Sequence, residues 1–164
     1  MAGLEQTVIE RRSVRAILLT PEHEVLLFRI KPPDCDDHFW ITPGGGIEAG
    51  ESTEAALRRE LWEELKLEHC DFGDLVWRRQ HTFNWAGKRF RQSEEYYVLR
   101  IAQFEPTPSD ELDMTNVVEC RWWPAVELHR ATEPLTPISL ARIVERYLAE
   151  GPPQLIPPLE VLVD

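Results

Sequence analysis

Residues 58–65, with the sequence RRELWEEL, carry the side chains of this chain that are best suited to chemistry. Three of them, Glu60, Glu63 and Glu64, are glutamates at helical spacing. At about 100° per residue they share one arc of a helix, where like charges repel each other at a cost of roughly a few tenths of a kcal/mol per exposed pair. The arc is either a solvent-exposed face or a site for a hard divalent cation such as Mg²⁺, which binds carboxylate oxygens.

A helix over residues 53–65 must position these carboxylates. Its leucines recur at helical spacing on a stripe suited to packing on a sheet, and Ser52 is the predicted N-cap. Runs of apolar residues bounded by turn residues predict strands on both sides of this helix. They comprise a hairpin within 13–31, a strand at 38–42, two long strands at 74–85 and 89–102, and a strand at 117–124.

The last part of the chain is predicted to hold a second amphipathic helix and a tail. The helix spans residues 136–149, with Thr136 as its cap and Pro137 at its first position. Residues 151–164 form a proline-rich, extended tail. Strands interleaved with two helices predict an α/β fold, in which helices flank a mixed sheet, within a single domain over residues 1–164.

The composition narrows the range of partners and compartments. The formal charge of -11 makes binding to a long nucleic acid backbone unfavourable, although local cations still allow a small phosphorylated ligand. Three cysteines without a CxxC spacing predict reduced thiols in a cytoplasmic protein, without a zinc site or a disulfide framework. No apolar run is long enough to span a membrane, so a soluble protein is expected.

The segment from Gly45 to Leu67 reads GGIEAGESTEAALRRELWEELKL. It resembles the signature of the Nudix hydrolases, GX5EX7REUXEEXGU, in which U is a bulky apolar residue. The six specified positions before the last glycine all match, which chance would produce roughly once in ten million windows. Lys66 replaces that last glycine, which normally ends the helix in a left-handed conformation. The replacement costs about 1 kcal/mol or changes how the helix ends, but it removes no metal ligand.

The resemblance implies an α/β/α sandwich with a mixed central sheet and a metal-dependent hydrolase. In Nudix enzymes the acidic helix binds Mg²⁺ or Mn²⁺ ions that bridge the diphosphate of a nucleoside diphosphate linked to another group. By position, Glu60 and Glu64 would be the principal metal ligands, and Glu63 a ligand or the base that activates water. The carbonyl of Gly44, or of the glycine after it, would complete the metal site, and Arg59 would pair with a carboxylate and orient it.

A loop offers other candidates for the base, because its place varies within the family. The polar segment 105–116 contains several acids, and an ordinary solvated loop is the alternative interpretation. The candidates are Asp110, Glu111 and Asp113.

A run of cations bears on substrate binding. Residues 77–91 contain five cations and no acid in an otherwise acidic chain. They either protect an edge hairpin from aggregation or form a wall that binds phosphate through the forked contacts of arginine. The predicted phosphate-binding residues are Arg79, Arg89 and Arg91.

Aromatic residues are candidates for stacking a nucleobase. Trp40 is the predicted platform, with Phe83 and Trp85 beside it, although buried aromatic residues are more often part of a core. The substrate stays open, because the proline that marks relatives resembling ADP-ribose pyrophosphatases is replaced by Thr82. The tyrosine of those resembling diadenosine polyphosphate hydrolases is also absent. A nucleotide, a nucleotide sugar, a dinucleotide and capped RNA remain candidates.

Two further expectations concern activity and assembly. The alternative to an enzyme is a catalytically silent Nudix-like domain that senses or binds a nucleotide. Silent relatives are expected to lose metal-binding glutamates, and this chain keeps all three, which favours the enzyme. A homodimer is expected as well, since the tail carries Leu155, Ile156 and Leu159, although the tail can equally fold onto its own chain.

Overall fold

A computed structural model describes residues 6–107 and 115–164. Within them a mixed sheet lies between two α-helices, which confirms the predicted fold class. The strands are β1 (Val8–Leu19), β2 (Glu24–Ile30), β3 (Phe39–Ile41), β4 (Gly44–Gly46), β5 (Asp74–Trp85), β6 (Lys88–Arg100), β7 (Val117–Pro124), β8 (Leu135–Thr136) and β9 (Leu159–Val163), and the helices are α1 (Thr53–Leu65), α2 (Leu140–Glu150) and a 3-10 helix (Ala125–Arg130).

Strand β1 is the centre of the sheet. The strand order is β8-β3-β2-β1-β6-β5-β9, with β4 paired to β1 and β7 paired to β2. The pairs β1–β6, β3–β8 and β5–β9 are parallel and the others are antiparallel. Because β1 pairs with both β4 and β6, it brings the glycine strand next to the long hairpin of β5 and β6.

The hydrophobic core occupies both sides of the sheet. Side chains of a strand alternate between the two faces, so β1 contributes to both sides. Its residues Val14, Ala16 and Leu18 pack with the leucine stripe of α1. Its residues Ile17 and Leu19 pack with α2 on the opposite side. The layered α/β/α arrangement follows from this alternation.

Both ends of α1 are capped as the motif requires. The Ser52 hydroxyl accepts a hydrogen bond from the Ala55 N–H at 3.1 Å, which confirms the predicted N-cap. Lys66 ends the helix with φ 54° and ψ 32°, and its N–H bonds to the Trp62 carbonyl at 2.9 Å. Lysine therefore adopts the left-handed conformation that the missing glycine would adopt, and the direction of the chain after the helix is kept.

The predicted start of α2 is wrong. The helix begins at Leu140, because Leu135 and Thr136 form strand β8 and pair with β3. A residue before proline is pushed toward extended conformations, which suits Thr136 to a strand and not to a helical cap. Pro137 precedes the helix, and its carbonyl accepts from the Leu140 N–H at 3.0 Å.

The tail does more than extend along the surface. Residues 159–163 form β9, which pairs in parallel with β5 from Arg78 to Thr82. Leu155 and Ile156 are exposed, so the apolar surface on which the homodimer prediction rests is present, and the homodimer stays a prediction. In the part of the chain that the structure describes, neither helix is long and apolar enough to cross a membrane, and the cytoplasmic location stays a prediction.

The end of α1 provides a test of the strain at Lys66. Lys66→Gly removes the steric cost of the left-handed conformation, whereas Lys66→Ala keeps the Cβ atom. Both variants lose the contact of the lysine ammonium with the Trp62 ring, now 5.3 Å from its centroid. We expect the free energy of unfolding in urea to be about 1 kcal/mol higher for Lys66→Gly than for Lys66→Ala. Equal stability of the two variants would contradict a strained turn.

Candidate active site

The glycine strand β4 faces two acidic side chains of α1. The Gly44 N–H donates to Glu64 Oε1 at 2.8 Å. A Cβ atom at Gly45 would overlap the Glu60 carboxyl group, and one at Gly44 would overlap the Val14 carbonyl of β1. A side chain at Gly44 would therefore meet fixed backbone, whereas one at Gly45 would displace the Glu60 carboxylate, because the backbone of β4 lies directly between β1 and the carboxylates.

The three glutamates of α1 differ in burial. Glu60 and Glu64 are each only 7 % exposed, whereas the side chain of Glu63 is 32 % exposed. Burial raises the pKa of Glu60 above its ordinary value, although Arg59 acts in the opposite direction. The acidic arc is thus not a solvated face, because two of its carboxylates lie inside the molecule.

Arg59 connects the glutamates to the glycine strand. Its guanidinium donates to Glu51 at 2.8 and 2.9 Å, to Glu60 at 3.0 Å and to Glu63 at 3.2 Å. It also donates to the Gly46 carbonyl at 2.9 Å. Its hydrogen bonds lower the pKa of Glu51 to about 2, so that Glu51 stays ionised. These contacts fit the orienting role that the motif implies for Arg59.

A cleft of about 730 Å³ opens at these carboxylates. One face of the sheet forms part of its wall, because alternate residues of β1, β5 and β6 line it. Two residues from the end of the chain, Leu162 and Asp164, complete this wall beside β5. The lining includes Arg11, Arg15, Gly44, Gly45, Gly46, Glu60, Glu64, Arg79, His81, Phe83, Phe90, Gln92 and Glu94.

Only one of the three arginines predicted to bind phosphate lines the cleft. Arg79 does so, at 4 % exposure, and it is paired with Glu94. Arg89 and Arg91 alternate with the cleft residues of β6 and therefore project from the opposite face of that strand. Arg91 pairs there with Glu10 at 2.5 Å. Neither Arg89 nor Arg91 lines the cleft, although Arg89 donates to Asn84 Oδ1 and to the Asp164 carbonyl, each at 3.1 Å, and both of these residues do line it.

Trp40 is also placed away from the cleft. It is 3 % exposed and belongs to the hydrophobic cluster under α2, where its ring meets Trp123 edge-on at 5.1 Å. Its indole N–H donates to the Glu133 carboxylate at 3.0 Å. Phe83 and Trp85, which were named beside it, do line the cleft.

Among the charged cleft residues that the sequence interpretation did not identify, three lie on strands β1 and β6, namely Arg11, Arg15 and Glu94. The signal that could have found them is the alternation of polar residues in β1 and β6 at positions that a half-buried strand would turn to one face. Asp110, Glu111 and Asp113, the other candidates for the base, lie outside the described residues.

Comparison with known proteins identifies the family. The NUDIX domain profile matches residues 9–146 of the chain. The chain belongs to the Nudix family. This confirms the predicted hydrolase class, which cleaves pyrophosphate linkages. Both the glycine strand β4 and the acidic helix α1 lie within the matched residues.

Individual relatives are distant. An RNA pyrophosphohydrolase from Rhodopseudomonas palustris is 27% identical over 135 residues, which cover 73% of this chain and 74% of the relative. The human 8-oxo-dGDP phosphatase NUDT18 is 26% identical over 151 residues, covering 92% of this Nudix chain but only 44% of the relative. The crystal structure of a MutT protein from Methanosarcina mazei superposes with a TM-score of 0.61 at 23% identity, covering 90% of this chain and 98% of that one. This structural likeness supports the fold.

The close packing of Gly45 against Glu60 leads to a prediction. Gly45 has an ordinary backbone conformation, so the methyl group of Gly45→Ala would displace only the flexible end of Glu60. We expect the free energy of unfolding to change by less than about 1 kcal/mol, while hydrolytic activity falls by about a hundredfold because an active-site group is displaced. Steady-state kinetics and urea unfolding measure the two quantities.

Gly46→Ala is the control for this variant. Its methyl group would meet the Arg11 guanidinium at 3.1 Å and no carboxylate, so kcat is expected to fall less than in Gly45→Ala. Wild-type activity in Gly45→Ala would contradict a role for the Glu60 carboxylate.

Proposed function

We propose that this Nudix chain hydrolyses a diphosphate linkage in a nucleoside diphosphate derivative, with Mg²⁺ or Mn²⁺ bound at Glu60 and Glu64. The observation that carries the proposal is that these two buried carboxylates open into the same cleft as three arginines of the sheet. Oxygen ligands for a cation and guanidinium groups for phosphate are therefore present in one place.

The residues fit a hard divalent cation. Glu60 and Glu64 supply carboxylate oxygens, and the buried Glu60 has a raised pKa that a cation would offset. In the described ranges no three acidic, histidine or cysteine side chains converge, so further ligands would be the Gly44 carbonyl, substrate phosphate or water. Magnesium sites in nucleotide enzymes commonly use few carboxylates in this way. A bound cation would neutralise phosphoryl charge and acidify the attacking water.

Glu63 is the proposed acceptor of the proton from that water. It is the most exposed of the three glutamates, and Arg59 holds its carboxylate at 3.2 Å. A base must be both reachable and oriented, and the contact with Arg59 supports the orientation. Glu63 lies one residue before Glu64 but does not itself line the cleft. The alternative acceptors Asp110, Glu111 and Asp113 lie outside the described residues.

The wall of the cleft suits a nucleotide despite the net charge of -11. Arg15 and Arg79 share one carboxylate, Glu94, so that this group of three has an excess positive charge. Arg11 forms no ion pair within the described ranges, and its guanidinium lies over the Phe90 ring at 5.6 Å. Phe83 lies beside Phe90 with ring centroids 5.8 Å apart, which provides an apolar surface for a base.

The names of the relatives support the same substrate class. The RNA pyrophosphohydrolase and the 8-oxo-dGDP phosphatase are both named for phosphorylated nucleotides or their polymers. A small nucleoside diphosphate derivative is therefore the proposed substrate of this chain.

The decisive experiment is a panel of nucleoside di- and triphosphates, nucleotide sugars and dinucleotides, assayed with Mg²⁺ and with Mn²⁺. We expect the wild-type protein to cleave at least one compound only when the cation is present. Glu64→Gln should lose activity by at least about a hundredfold, because it removes a charged ligand. Phosphate release and product masses report the reaction, and circular dichroism reports folding.

Glu68→Gln is the matched control, because it makes the same charge change at an exposed position outside the cleft. It should keep wild-type activity. Hydrolysis of none of the compounds by the wild-type protein would favour the silent domain, and full activity of Glu64→Gln would exclude the metal assignment.

A second comparison tests the cationic wall. Arg11→Gln should raise the KM for a nucleotide substrate by about tenfold, since an arginine–phosphate contact contributes roughly 1.5–3 kcal/mol. Arg91→Gln removes the same charge from the opposite face of the sheet and should leave KM within about twofold. An equal rise in both variants would show that net charge, and not the position of Arg11, controls binding.

A further inference from the structure

Glu94 is a buried carboxylate that the proposed chemistry does not use. It is 2 % exposed and lies on β6, on the cleft side of the sheet. It accepts hydrogen bonds from the Ser13 hydroxyl at 3.2 Å and from Arg15 Nε at 3.3 Å. On its other side it is paired with Arg79, whose Nε lies 3.0 Å away. A buried carboxylate between two guanidinium groups usually adds little stability compared with an apolar residue in its place. Stability alone therefore does not explain why Glu94 occupies this position.

Arg15 links Glu94 to the glycine strand. Its Nη1 atom donates to the Thr42 carbonyl at 3.0 Å and to the Gly44 carbonyl at 3.3 Å. The N–H of Gly44 in turn donates to Glu64. Glu94, Arg15, Gly44 and Glu64 are therefore connected in series, from the centre of the sheet to the acidic helix.

The backbone at Gly44 needs such support. Its φ of 139° lies in a region that glycine enters easily, and it has no side chain that could hold it by packing. The strand pairing of β4 with β1 supplies hydrogen bonds on one side only. The guanidinium of Arg15 adds a contact to the Gly44 carbonyl, and Glu94 fixes the orientation of that guanidinium.

We propose that Glu94 is a positioning residue, which acts through Arg15 to hold the Gly44 backbone so that its N–H orients the Glu64 carboxylate. The proposal rests on the function proposed above, because it assigns Glu64 its role. Arg79 donates to the other carboxylate oxygen of Glu94, whereas Arg15 is the partner of Glu94 that also donates to the Gly44 carbonyl. Ser13 only completes the hydrogen bonds of the carboxylate.

Two variants interrupt the series at different points. Glu94→Gln removes the charge that orients Arg15, and Arg15→Lys keeps a cation but loses the planar group that reaches Glu94 and two carbonyls together. For each we expect kcat to fall by about tenfold or more, with KM within about threefold. The double variant should be no slower than the slower single variant, since the two residues act in series.

Two other variants serve as controls. Ser13→Ala removes one hydrogen bond to Glu94 and should retain kcat within about twofold. Glu133→Gln breaks a bidentate ion pair with Arg29 that lies outside the cleft lining, and it reports what the same change of charge does away from the glycine strand. Urea unfolding of all variants separates loss of stability from loss of orientation.

A readout without substrate makes the result independent of the assay. In nuclear magnetic resonance spectra, the Gly44 amide proton should shift upfield and exchange faster with solvent in Glu94→Gln and in Arg15→Lys, because its bond to Glu64 weakens. It should keep its wild-type position in Glu133→Gln. Binding of Mn²⁺, measured by calorimetry, should weaken by about tenfold in the first two variants and not in the control.

The outcomes decide between the explanations. Folded Glu94→Gln with wild-type kcat and an unchanged Gly44 amide would overturn the proposal. So would a loss of kcat in Glu133→Gln equal to that in Glu94→Gln at equal stability. If the wild-type protein hydrolyses nothing, the proposed function fails, while the amide signal of Gly44 still confirms or overturns the positioning role.

Discussion

The contact between a glycine backbone and two buried carboxylates is the constraint on which this structure depends. Charged side chains are costly to bury, and here Glu60 and Glu64 lie against β4 with 7 % of each residue exposed. The cost is offset locally by a backbone N–H from Gly44 and by the guanidinium of Arg59. Any side chain at Gly44 or Gly45 would occupy the space that makes this possible. The spacing of the motif thus records a steric requirement as well as a chemical one.

The arginines of the cleft are confined to its sheet wall. Arginines of β1 and β5 reach the cleft because every second residue of a strand faces the same way, although the whole lining also contains six carboxylates, those of Asp34, Asp37, Glu60, Glu64, Glu94 and Asp164. Glu94 balances only one of the two arginines beside it. These arginines are the proposed contacts of a phosphorylated ligand, and distant charges of the chain matter less, since the interaction of exposed charges beyond about 10 Å is largely screened by salt.

Part of the cleft lies beyond the residues that match the family profile. The profile match ends at residue 146, whereas β9 begins at Leu159 and still adds Leu162 and Asp164 to the cleft. Asp164 lies 2.6 Å from His81 at this wall. The acidic helix and glycine strand therefore lie within the family profile, while part of the cleft wall comes from a segment beyond it.

Local patterns in the sequence determined helix α1 and its Ser52 cap, the strand hairpins, the six matching motif positions and hence the family. These features depend on short spacings, which a single chain displays directly. Tertiary structure alone decided that Arg79 faces the cleft while Arg89 and Arg91 do not, that Trp40 is buried, and that the tail joins the sheet. It also brought Glu94 to Arg15, 79 residues earlier in the chain. Such contacts depend on strand order and register, because a shift of one residue reverses every side chain between cleft and opposite face.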